Sequence, residues 1–177
     1  TRETRLIYSE SLSGQTDNKV YLKPENMQLT GAYKVRGAYY KISTLTEEER
    51  KQGLITASAG NHAQGVAYAA KAFGIKAVIV MPTTTPLIKV ERTKNYGAEV
   101  VLYGDTYDES CSHAHKLAEE KGYTFIHPFD DLAVATGQGT IAMEIIQDLP
   151  LVDYILVPVG GGGFASGVSI LKKKLNP

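Results

Sequence analysis

Three short stretches hold residue types that could do chemistry. The first is Gly160-Gly161-Gly162-Gly163, which follows an apolar run over residues 154–159 and precedes a segment that resumes as a helix. Four consecutive glycines cost backbone entropy. Without Cβ atoms, several N–H groups can converge on one anion, and a following helix adds its positive end. The pattern predicts a phosphate cup, with a flexible strand-to-helix turn as the alternative. Gly160-x-Gly162-x-x-Ala165 fits a dinucleotide pattern loosely, and Phe164-Ala165-Ser166 does not continue as a P-loop, so the loop alone specifies only a phosphate.

The second stretch is Ser58-Ala59-Gly60-Asn61-His62, between a strand and a helix. Plain N-capping by Ser58 or Asn61 would account for it. The functional reading is that its N–H groups bind a carboxylate while the Asn61 amide holds a polar ring substituent. His62, in a first helical turn, fits a packing or hydrogen-bonding role, and no His or Asp stands at triad spacing from it. The third is Gly31-Ala32-Tyr33-Lys34-Val35-Arg36-Gly37-Ala38. Its small residues allow close backbone packing that leaves a lysine at a cleft. A lysine desolvated there has a lowered pKa and can form a Schiff base. Residue chemistry alone does not choose Lys34 over Lys23 or Lys41. His113 and His115, two apart on a helix, face different sides and make no metal site with Cys111. Asp130-Asp131 could cap a helix or bind a cation, and capping is the favoured reading.

These stretches need a scaffold. The chain has 177 residues, 43% hydrophobic, with 19 basic and 19 acidic side chains. That balance argues for a globular protein and against a nucleic-acid or membrane-surface binder. A single cysteine, Cys111, excludes an internal disulfide and a cysteine-rich zinc site, and fits a reducing, cytoplasmic setting. Thr1-Arg2-Glu3-Thr4-Arg5 lacks a signal-peptide core, and the missing initiator Met suggests a trimmed start.

Apolar runs predict strands at 20–23, 54–57, 76–81, 99–103, 123–126 and 153–159. Helices are predicted at 33–45, 46–52 (capping box Thr46/Glu49), 61–73, 86–96, 106–121 and 133–149. The alternation implies an α/β fold: parallel twisted sheets with helices on both faces and right-handed crossovers. Ligands collect at the carboxyl ends of such strands. Residues 58–61 and 160–163 both lie there.

The three stretches occur together in one known family. Leu22-Lys23-Pro24-Glu25-Asn26-Met27-Gln28-Leu29-Thr30-Gly31-Ala32-Tyr33-Lys34-Val35-Arg36-Gly37-Ala38 resembles the cofactor-lysine motif of fold-type II pyridoxal-phosphate enzymes, the tryptophan synthase beta-like group. Ser58-Ala59-Gly60-Asn61-His62-Ala63-Gln64-Gly65 resembles their substrate-carboxylate loop, and the four glycines their phosphate cup. Within the group, the chain is most similar to the threonine dehydratases (threonine ammonia-lyases). The resemblance implies pyridoxal 5'-phosphate as cofactor, held by Lys34, with Lys34 then acting as base at the substrate Cα. Asn61 would hydrogen-bond the cofactor ring hydroxyl. Gly160, Gly161, Gly162 and Gly163 would bind its phosphate. Ser58, Ala59, Gly60 and His62 would sit by the substrate carboxylate. The implied reaction is β-elimination from L-threonine, also L-serine, to 2-oxobutanoate or pyruvate and ammonia.

Serine racemases that look like this carry a serine directly before the loop glycine as a second base. Ala59 stands there, which favours elimination over racemisation. The family usually has Ser-Phe before the lysine; Ala32-Tyr33 replaces it. A racemase, or a non-enzymatic nucleotide-binding α/β module using the same glycines, is the alternative. The family's catalytic unit needs about twice this length. The expectation is therefore an N-terminal half, with a small domain at 53–131 and a truncated large domain at 1–52 and 132–177, from a full-length protein that is a homo-oligomer.

Overall fold

The strand–helix alternation resolves into a four-stranded parallel sheet with helices packed on both faces. A computed structural model describes residues 1–175. In chain order the elements are β1 (Ile7–Tyr8), α1 (Glu10–Thr16), β2 (Tyr21–Leu22), a 3-10 turn (Glu25–Met27), α2 (Lys34–Ser43), α3 (Glu47–Gln52), β3 (Leu54–Ala57), α4 (Asn61–Ala72), β4 (Ala77–Met81), α5 (Leu87–Asn95), β5 (Glu99–Leu102), α6 (Tyr107–Lys121), β6 (Thr124–Phe125), α7 (Leu132–Asp148) and α8 (Gly163–Leu175).

The sheet runs β5-β4-β3-β6, with Leu54 beside Ala77 and Ala57 beside Val80. Every residue of β3 and β4 is buried, as two covered faces require. Alternation along the strands sends Leu54, Ile79 and Met81 to one side, against Ile42 of α2 and Val66 of α4. Ile55, Val78 and Val80 face the other side, against Ala114 and Leu117 of α6. The half-buried Cys111 packs there as a small apolar residue.

The starts of α3 and α7 follow the predicted chemistry. Thr46 and Glu49 form the capping box of α3; Thr106 and Glu109 form a second one on α6. Asp131 Oδ1 accepts from Val134 N–H (3.0 Å) and caps α7. The antiparallel pair β1–β2 and α1 between them were outside the sequence expectation beyond the strand at 20–23. A seven-residue helix held by Ser9 carries no apolar periodicity to read.

One predicted strand is absent. Residues 152–159 run without strand pairing, with Tyr154 88% and Leu156 96% exposed. Their composition is right for a buried strand, but a strand needs a neighbour, and none of the described strands pairs with them.

Arg36 is buried and clamps α2 to its surroundings. Its guanidinium reaches Glu25 through Nε and Nη2 (both 2.8 Å), and Glu144 on α7 through Nη1 (2.6 Å) and Nη2 (2.9 Å). Lys23 pairs with the same Glu144 at 2.6 Å. Burial opposes charge on Glu144, yet Arg36 and Lys23 hold its pKa below the ordinary carboxylate value.

The last two helices, α7 and α8, meet backbone to backbone. A Cβ on Gly139 would lie 2.8 Å from the Gly167 carbonyl oxygen, and one on Gly167 would collide with the Ala135 carbonyl. Since backbone cannot yield as a side chain does, Gly167→Ala is expected to cost about 2–3 kcal/mol of stability in denaturant melts. A cost near zero would show that the helices do not pack this closely.

Candidate active site

Lys34 opens α2, and its amine does not point into bulk water. Nζ donates to the Pro128 carbonyl oxygen at 2.6 Å, across 94 positions of sequence. The packing that holds it is tight: a Cβ on Gly65 of α4 would come within 3.1 Å of the Val35 nitrogen. Burial pushes the Lys34 pKa below its ordinary value, enlarging the neutral fraction that can act as nucleophile or base. Lys23 and Lys41, the competing lysines, are both spent on carboxylates, Glu144 and Asp131.

The glycine turn meets the same segment from the other side. The Phe129 ring occupies the place of a Gly161 Cβ, and the Phe129 carbonyl the place of a Gly163 Cβ. Gly162 adopts φ +86°, a conformation that favours glycine. The next residue, Phe164, stacks on Tyr33 with ring centres 4.3 Å apart. The Lys34 hydrogen bond to Pro128 and the close approach of the Phe129 ring and carbonyl to Gly161 and Gly163 thus bring Lys34 and the turn to one loop, Pro128-Phe129. Among the described residues, the N–H groups of Gly160, Gly161, Gly162 and Gly163 have no protein acceptor; the first bond into α8 runs from Ser166 N–H to the Gly162 carbonyl (2.9 Å).

The loop at 58–62 is similarly open. Ser58 Oγ accepts from Gly60 N–H (3.2 Å), and no side chain caps α4. Capping by Ser58 or Asn61 therefore does not explain the motif. Among the described residues, the N–H groups of Asn61, His62 and Ala63 lack protein acceptors, and the exposed Asn61 amide makes no hydrogen bond. Ala59 offers only a half-buried methyl group.

His62 turns inward instead. Its Nε2 lies 3.1 Å from the Ile126 carbonyl oxygen, which fixes the proton on Nε2, and its buried Nδ1 has no partner among the described residues. Burial drives its pKa down to about 4, against the Ile126 hydrogen bond and with help from Lys34 and His127. The ring is 3% exposed, so what His62 offers outward is its backbone N–H. His113 stacks on Tyr103 and His115 on Phe125, on different faces of α6.

Sequence reasoning missed His127, Pro128 and Phe129. Their signal was positional: they occupy the loop at the carboxyl end of β6.

A partly desolvated amine and a glycine turn with open N–H groups meet on one loop, and His62 ties the uncapped start of α4 to Ile126 just before that loop; such a set suits a carbonyl compound that carries a phosphate. Pyridoxal phosphate fits this donor set, with its aldehyde for the amine and its phosphate for the glycines. The chain belongs to the pyridoxal-phosphate dependent enzyme family, whose model matches residues 1–177. It is 55% identical over 174 residues to the L-threonine ammonia-lyase of Thermotoga maritima, covering 98% of this chain and 43% of that protein. Among solved structures it resembles the processed form of threonine deaminase isoform 2 from Solanum lycopersicum (TM-score 0.97, 46% identity, 99% of this chain and 48% of that one). It also resembles maize serine racemase (TM-score 0.96, 38% identity, 99% and 54%). The chain spans about half the length of the relatives it matches.

The His62 geometry sets a pH dependence. A folded-state pKa below the unfolded value gives stability that is complete above about pH 6.5 and lost as pH falls toward the folded value near 4. The loss attributable to His62 is about 3 kcal/mol, from the size of that shift. His62→Gln, which keeps a donor for Ile126, is expected to flatten this part of the stability–pH curve; an unchanged acid slope would contradict the assignment.

Proposed function

We propose that the full-length protein is a pyridoxal-phosphate dependent ammonia-lyase that converts L-threonine, and L-serine, to 2-oxobutanoate or pyruvate and ammonia. The observation that carries this reading is the meeting of Lys34 and the glycine turn on the Pro128-Phe129 loop. The threonine-acting relatives supply the substrate class.

Lys34 would hold the cofactor, Gly160, Gly161, Gly162 and Gly163 its phosphate, and the Asn61 amide a ring oxygen. When bound, the cofactor supplies an electron-withdrawing ring system that spreads charge arising at the substrate Cα. The rest is done by the chain. The lowered pKa of Lys34 keeps part of its free amine neutral, the form that could bond the cofactor's carbonyl carbon and that, when free, would take the Cα proton. Its hydrogen bond to the Pro128 carbonyl holds an N–H and so orients the nitrogen lone pair. The N–H groups of Asn61, His62 and Ala63, with Ser58 and Gly60 beside them, would receive the carboxylate at the positive end of α4. Loss of the β-hydroxyl as water leaves an enamine that hydrolyses to the oxo acid and ammonia.

The second reading is racemisation, favoured by the likeness to maize serine racemase. It needs a proton carrier on the opposite face of Cα. The methyl group of Ala59 cannot serve as one, which supports elimination. The same reading divides the chain into a small domain at 53–131, around the sheet, and a partial large domain at 1–52 and 132–177.

In the full-length protein, visible cofactor absorbance that changes on adding threonine is expected. Lys34→Ala should abolish both that response and turnover, with a rate loss of about 10³-fold or more. A Lys34→Ala variant with an intact spectral response would reject the lysine assignment. Thermal stabilisation by adenine nucleotides and none by pyridoxal phosphate would favour the nucleotide-binding module.

A further inference from the structure

We propose that His127 is a positioning residue for the Lys34 amine: its unprotonated Nδ1 accepts the backbone N–H groups of Phe129 (3.3 Å) and Asp130 (2.7 Å), folding the turn that presents the Pro128 carbonyl to Lys34 and the Phe129 ring to the glycines. The inference rests on the function proposed above, because it concerns the same amine. Nδ1 stands where the Oδ1 of an asparagine or aspartate would stand. Its bonds to the second and third following N–H groups are those of an Asx-type cap. The ring is held in place by Phe129, edge-on at 4.8 Å, and by Phe125 at 6.2 Å.

An imidazole differs from an amide in one respect: it titrates. A proton on Nδ1 would set a donor against two donors, so the turn and the imidazolium exclude each other. Groups on every packed element bear on that proton. Asp130 in the turn and Asp131 at the start of α7 favour it, although Asp131 is engaged by Lys41 at 2.8 Å. His115 on α6 and Lys34 on α2 oppose it, and His62 on α4 is the neutral neighbour. Burial is the largest influence, and it holds the His127 pKa below its ordinary value. The two bonds are therefore intact above about pH 6.5 and are lost as pH falls through the lowered value. Acid would free the Pro128 carbonyl from its fixed place and remove the wall behind the glycines before it touched the chemistry itself.

The test uses the full-length protein with two substitutions, His127→Asn, which keeps an acceptor at the δ position without a titration, and His127→Leu, which removes the acceptor. The first readout is amide exchange of the 126–131 segment in the cofactor-free protein at several pH values, each corrected for intrinsic exchange. Protection in the wild type should fall about tenfold as His127 protonates, stay flat in His127→Asn, and be low throughout in His127→Leu. The second readout is the pH profile of kcat/KM for threonine. Its acid limb should move to lower pH in His127→Asn, and at pH 8 Asn should restore most of what Leu loses. Identical exchange and an identical acid limb in wild type and His127→Asn would overturn the proposal, as would a fully active, fully protected His127→Leu. A protein that neither takes up pyridoxal phosphate nor consumes threonine would refute the functional reading alone, since the exchange data would still decide the turn.

Discussion

The hydrogen bond from the Lys34 amine to the Pro128 carbonyl joins the first turn of α2 to the loop after β6. Everything proposed for the site depends on where it leaves that nitrogen. Long lysine side chains normally carry their charge into water. This one is held back by packing on α4 below it and by an acceptor that carries no charge, so the cost of burial is met by lowering its pKa rather than by pairing. An ion pair would have done the reverse. Lys23 and Lys41 illustrate it: each sits on a carboxylate and is tied to structure. The neighbouring Arg36, bonded to Glu25 and Glu144, anchors the helix on which Lys34 sits and occupies both of those carboxylates.

The four glycines serve more than one end. The places of the missing Cβ atoms at Gly161 and Gly163 are taken by Phe129, and Gly162 turns the chain at positive φ. Those constraints alone would account for three of the four. The same stretch leaves, among the described residues, N–H groups without protein acceptors at the start of a thirteen-residue helix. Packing and anion binding thus draw on one piece of backbone geometry. The start of α4 repeats the arrangement: no side chain caps it, whereas α1, α3, α6 and α7 each have a capping Ser, Thr or Asp. An uncapped start is not peculiar to α4, since α2 and α5 also lack a side-chain cap; what sets α4 apart is its place beside Lys34 and the loop after β6.

Much of this was legible in the sequence. The strands and helices from Leu54 to Phe125 announce themselves by apolar runs and terminal glycines, and α3 by its capping box, which are local properties. Lys34, Asn61 and the glycines were singled out by residue type, and their company in one family's order selected among the lysines. What could not be read depended on long-range contact. His62 reads from its residue type as a packing or hydrogen-bonding side chain, but its partner, the Ile126 carbonyl, is visible only in the fold. Phe129 is an ordinary aromatic residue until it is seen against Gly161. The run at 153–159 has the composition of a strand and lacks, among the described residues, a neighbour to pair with. Strand β1 and helix α1 are too short for periodicity to reveal, whereas β2 lies within the strand expected at 20–23.

The most direct test of the central claim is chemical. The full-length protein, loaded with pyridoxal phosphate, is reduced with borohydride, digested and mapped by mass. The account predicts one reduced cofactor adduct, on the peptide containing Lys34 and on that side chain. An adduct on Lys23 or Lys41 instead, or no adduct on a protein that nonetheless binds the cofactor, would contradict it.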